Sequence, residues 1–163
     1  MMKHLILIAI LFGITHTAQA DSGELILPII RVYDGDTIVT NLSLPAPLNK
    51  VSVRIRGIDT PENPAASYVV TGKLGRAKCR LEAKRARAAT AYLRLLHSRH
   101  GGTMTVKNLE YGAYAGRIVG DVYIGGVNVG QRMLERGYAV PYDGKSKRNN
   151  DWCVPDVDIH RKR

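Results

Sequence analysis

The sequence predicts an α+β domain that is mainly β, a five-stranded Greek-key barrel with two to three helices. Three observations carry this. Runs rich in Val, Ile and Thr alternate apolar with polar residues at a period of two, one long Ala/Leu/Arg segment interrupts them, and Asp-Gly or Gly-Gly turns divide them at short intervals.

The first twenty residues are set aside before any fold argument. Lys3 precedes an apolar run from Leu5 to Thr15, and Ala18-Gln19-Ala20 closes on small residues, the pattern of a cleaved export signal. The run is well short of the roughly 20 residues that span a bilayer. Residues 1–20 are therefore read as a signal peptide and 21–163 as one domain, since no linker tract or internal repeat divides the remaining length. The protein is expected to be exported to a periplasm or the medium, to leave the membrane in its mature form, and to be a monomer.

Leu25 to Val32 and Ile38 to Leu42 are β-rich runs flanking Asp34-Gly35, a tight-turn dipeptide. Val51, Val53 and Ile55 alternate with Ser52, Arg54 and Arg56, so one face of this strand is apolar and Arg54 points away from the core. From about Ala77 to Ser98 the composition is that of a long helix, stopped by Gly101-Gly102. Thr103 to Lys107 gives a fourth strand. Gly116 to Ile124 gives a fifth, with Ile118, Val122 and Ile124 on one face and Arg117 on the other. After the Gly125-Gly126 turn, Asn128 and Gln131 form a capping pair for a short helix through Arg136, ended by Gly137. Five short strands with a helix between the third and fourth fit a closed barrel of the oligonucleotide-binding type.

The chain carries 24 Lys and Arg against 14 Asp and Glu; removing Lys3 with the leader leaves 23 against 14. That excess favours a polyanionic partner through long-range attraction. Two cysteines occur, Cys79 and Cys153, neither in a metal or redox spacing, and export places them where a pair is bridged. The histidines are scattered, so no zinc site is legible.

Three islands bring together acids and arginines: Asp34-Gly35-Asp36-Thr37, Arg54 with Asp59-Thr60-Pro61-Glu62, and Gly116-Arg117. Clustered acids repel unless a cation sits among them, and arginine presents a forked grip for phosphate. The set points to metal-assisted chemistry on a polyanion.

With these islands in order on their elements, the chain resembles the thermonuclease family, the staphylococcal nuclease-like proteins, from about Val32 to Tyr142. The resemblance implies that Asp36 and Asp59 give carboxylate oxygens to Ca2+, with the Thr60 carbonyl as a further ligand, in keeping with a hard cation that takes oxygen donors and water. It implies that Glu62 orients and deprotonates the attacking water, and that Arg54 and Arg117 hold the scissile phosphate and its transition-state charge. Asp34 is open between ligation and forming the turn before Gly35. Arg56 has no assigned partner.

The expected activity is calcium-dependent hydrolysis of phosphodiester bonds in DNA, RNA or both, within chains and tolerant of sequence. The competing readings are a catalytically inactive nucleic-acid-binding module, and a basic protein that binds acidic envelope polymers without a metal. Departures from the family pattern also occur. Ala113-Tyr114-Ala115 stands where members carry an acid and a tyrosine before Gly-Arg, leaving Tyr111, Tyr114 and Tyr142 as alternative sources of a stacking ring. The loop through Pro45-Ala46-Pro47 is extended, and the chain ends in Trp152-Cys153 and a basic Arg161-Lys162-Arg163 tail rather than a long helix.

Overall fold

A computed structural model describes residues 23–46, 49–65, 68–113, 116–145 and 151–155. The leader, Pro47, Tyr114 and the Arg161-Lys162-Arg163 tail lie outside the described residues. The chain runs through β1 (Leu25–Pro28), β2 (Arg31–Val32), β3 (Thr37–Asn41), β4 (Lys50–Ile55) and β5 (Ile58–Asp59). Helices α1 (Tyr68–Thr71) and α2 (Arg80–Arg99) follow, then β6 (Thr103–Tyr111), β7 (Arg117–Ile124), β8 (Val127–Asn128), α3 (Val129–Glu135) and β9 (Val140–Pro141). The α+β, mainly β expectation holds, with two helices longer than a single turn.

The strand count and closure differ from expectation. Instead of a closed ring of five strands there is a seven-stranded mixed sheet, paired along the open path β1-β6-β7-β4-β3-β2 with β8 added to β7, and a separate β5-β9 pair. The cause lies in the first apolar run. At Ile29-Ile30 the chain changes partners, the Ile29 amide donating to the Gly102 carbonyl at 2.7 Å and the Ile30 amide to the Val39 carbonyl at 3.0 Å. One run of sequence therefore supplies both ends of the sheet path. The β5, β8 and β9 segments, two residues each, are too short to show a period.

The β4-β7 pair is parallel, with Ser52 opposite Arg117 and Arg54 opposite Val119. A parallel pair needs a long crossover, and α2 with β6 provides it. β6 runs four residues beyond the expected Lys107, because Asn108 adopts φ 52° at a bulge between Lys107 and Glu110. Asn tolerates that left-handed conformation better than other side chains, so a residue that reads as a strand end is a kink within one.

The core lies between the sheet and the helices. Ile38, Val53, Ile55, Val106, Val122 and Ile124 are buried from the strands, and Leu93 with Met133 from α2 and α3. Each such side chain contributes about 1.5–3 kcal/mol by leaving water. On α2 the buried face is Ala83, Ala86, Ala89, Leu93 and Leu96, a helical stripe whose small residues let the sheet's loops come close. Helix α2 begins three residues later than expected, at an extended Cys79 whose sulfur accepts from the Glu82 amide. Cys79 is bridged to Cys153, as expected from the export reading.

Candidate active site

The turn between β2 and β3 places the first island. The Tyr33 amide donates to the Thr37 carbonyl at 2.9 Å, and Asp34 Oδ1 accepts from the Asp36 amide at 3.2 Å. Asp34 thus takes the turn-forming role that the sequence left open. Gly35 is there because of space. A Cβ at Gly35 would lie 2.9 Å from the Ala89 Cβ and 2.9 Å from the Thr60 hydroxyl. Without a side chain, the turn rests directly on α2 and the Thr60 segment, which brings Asp36 beside the second island.

Asp36 and Asp59 are buried, at 2% and 1% exposure. Both meet one guanidinium: Arg54 Nη1 lies 2.8 Å from Asp36 Oδ1, and Arg54 Nη2 lies 3.3 Å from Asp59 Oδ1. Thr37 donates its hydroxyl to Asp36 Oδ1 at 2.9 Å, and the Thr60 amide donates to Asp36 Oδ2 at 3.1 Å. Arg54 reaches them because its polar position on β4 points off the core face, as the alternation predicts. Tyr142, just past β9, lies with its ring centroid 5.8 Å from the Arg54 guanidinium carbon. Among the described residues, Tyr142 is the candidate tyrosine that meets Arg54, whereas Tyr111 is 98% exposed at the end of β6.

The carboxylates crowd one another. Burial, reinforced by the neighbouring Asp36 charge, pushes Asp34 up to about 7. Two carboxylates fit a hard cation in donor type, with the remaining positions left to carbonyls and water. Among the described residues, however, no three acidic, histidine or cysteine side chains form a ready-made cage. Arg54 occupies the space between the two aspartates.

Glu62 stands at the rim. Its carboxylate lies 3.3 Å from Arg76 Nε, and Arg76 Nη2 lies 3.6 Å from Asp34 Oδ2. A second guanidinium thus ties the candidate base to the first island. Arg117 enters from β7, opposite Ser52 and therefore on the same sheet face as Arg54, one strand over. Its side chain packs against Gly112, where a Cβ would meet Arg117 Cγ at 2.9 Å.

Two residues at this site went unread in the sequence. Arg76 had no signal among so many arginines. Glu82 did have one: Cys79 and Glu82 stand at capping-box spacing. Its buried carboxylate accepts from the Glu62 amide at 3.2 Å and from the Lys78 amide at 2.6 Å. Glu82 therefore anchors the loop bearing Glu62 to the start of α2.

Arg56, unassigned in the sequence, takes its partners outside the Asp36 and Asp59 cluster. It pairs with Glu110 at 2.7 Å and Asp121 at 3.5 Å and donates to the Asn108 carbonyl, bracing the β6 bulge.

The domain thus presents two buried aspartates on one guanidinium, a glutamate at the rim and a second arginine on the neighbouring parallel strand. Residues 52–153, more than half of the chain, match the family model of the staphylococcal nuclease homologues, and the chain belongs to that family. The matched span includes Arg54, Asp59, Thr60, Glu62 and Arg117; Asp36 lies before it and joins the site through the fold. A search of curated proteins finds no match.

Proposed function

We propose that this protein is an exported, calcium-dependent nuclease that hydrolyses phosphodiester bonds of DNA, RNA or both, within chains and with little regard to sequence. The reading is supported above all by one observation: Arg54 spans buried Asp36, from the β2-β3 turn, and buried Asp59, from β5. Family membership supports a nucleic-acid substrate, and the Cys79–Cys153 bridge supports an oxidising compartment.

In this reading Asp36, Asp59 and the Thr60 carbonyl would hold calcium, which supplies positive charge to the phosphoryl oxygens when bound. Holding the ion would require Arg54 to turn from the aspartates toward the phosphate, a change of partner for a side chain that is only partly buried. Arg54 and Arg117 then grip the phosphoryl oxygens through forked donors. Glu62 orients water in line with the leaving oxygen and accepts its proton. Tyr142 offers a ring for a base beside the arginine.

The mature protein is expected to degrade single-stranded DNA with calcium and to stop with chelator, and Glu62→Gln to lose at least about a hundredfold in turnover with its circular dichroism unchanged. Tight binding of DNA without cleavage under the same conditions would favour the inactive binding module instead.

A further inference from the structure

Helix α2 carries six cations and one acid, and the acid, Glu82, is buried. Arg85 is engaged, donating to the Trp152 and Val154 carbonyls at 2.6 and 2.8 Å. Four of the others, Arg80, Lys84, Arg87 and Arg94, line a groove of about 890 Å³ whose opposite wall includes Asn63 and Pro64. All four are exposed, and none forms an ion pair among the described residues.

This arrangement is costly for the helix alone. Like charges three and four residues apart repel, and Arg80 in the first turn opposes the helix dipole. Arg54, Arg56, Arg76 and Arg132, by contrast, each meet an acid. Between the cations the groove floor is Ala88 and Ala91, small enough to let a chain lie against the helix.

We propose that this groove is a second substrate surface, a track for the phosphate backbone of single-stranded nucleic acid running from the candidate active site along α2. The inference rests on the nuclease reading for its substrate class. Continuity supports it: Asn63 follows Glu62 directly, and its side chain bonds both the Tyr33 carbonyl at 2.9 Å and the Thr90 hydroxyl at 3.2 Å, fixing the groove wall to the site's loop and to α2. From Arg80 to Arg94 the helix rises roughly 21 Å at 1.5 Å per residue. At about 3.4 Å per phosphate along one strand, that length faces roughly six phosphates. The groove residues named above include no aromatic ring, so the track reads charge and not base, in keeping with sequence tolerance.

The test compares K84Q/R87Q/R94Q with a control that removes equal charge outside the groove, K50Q/R99Q/R136Q. Binding of a fluorescent oligothymidylate 20-mer is titrated against salt in chelator, where no cleavage competes. Each lost phosphate contact flattens the slope of log K against log salt by about 0.7, so the groove variant should be shallower by about 2 and at least tenfold weaker at low salt, with the control near wild type. Turnover of a thymidine dinucleotide ester should stay unchanged, because so short a substrate does not reach the track. Equal losses in the two variants, or an unchanged slope in the groove variant, would overturn the proposal. Groove-dependent binding with no cleavage by wild type supports the track while refuting the nuclease; cleavage with a groove variant matching the control does the reverse.

Discussion

Arg54 shows how one residue serves opposing demands. Two buried carboxylates without a partner would be strongly unfavourable, and a single fork offsets both. Arg54→Ala should therefore cost the calcium-free protein about 3 kcal/mol of stability, the scale of breaking a buried pair. Added calcium should raise the melting temperature of this variant more than that of wild type, since the ion takes over the charge Arg54 had balanced. Equal calcium shifts in both proteins would show that Arg54 and the ion do not share the aspartates. The position of Arg54 was legible in the sequence from period-two alternation. Its two partners were legible only as family expectations, because no local pattern links residues 36, 54 and 59. Glu82 sits between these cases: capping spacing marked it, but its reach to the Glu62 amide depends on a loop distant in sequence.

At the scale of elements, the site depends on how closely a turn approaches a helix. Gly35 is the contact point, and its role is space, not backbone freedom. Gly35→Ala drives a methyl into Ala89 and Thr60, and overpacking of this kind costs about 1–3 kcal/mol. The turn should move away from α2, lowering calcium affinity along with the denaturation midpoint. Unchanged calcium affinity in a destabilised protein would separate packing from site geometry. The Asp34-Gly35 dipeptide announced the turn, but nothing in it specified what the turn would rest upon. The β6 bulge shows the same limit from the other side. Asn108 reads as a strand end because its preference for a left-handed backbone is local, while the pairing that resumes beyond it belongs to β7.

Across the whole molecule, the disulfide joins the C-terminal segment to the base of α2, beside the Glu82 anchor. Closing 74 residues of separation contributes about 4 kcal/mol in the chain-entropy model. Cys79→Ser with Cys153→Ser should lower unfolding free energy by up to that amount in denaturant titrations, and reduction of wild type should match it. A reduced protein as stable as the oxidised one would leave the bridge with no structural part. Trp152 is buried next to it, so some loss from unpacking the tail is expected alongside the entropic one. No helix among the described residues is long and apolar enough to cross a membrane.

What the sequence determined on its own was local: the apolar faces of β4 and β7, the place of both longer helices to within three residues, the Asp-Gly turn, and the cysteine pair available for bridging. These follow from periodicity, backbone preference and compartment chemistry, which act over a few residues or need no partner. Tertiary structure alone decided that the first apolar run would bend into two strands at opposite ends of one sheet path. It also decided that Arg76 would tie Glu62 to Asp34, and that Tyr142 rather than Tyr111 would meet Arg54. Each of these is a choice among chemically equivalent residues or edges, made by long-range packing that brings distant segments together.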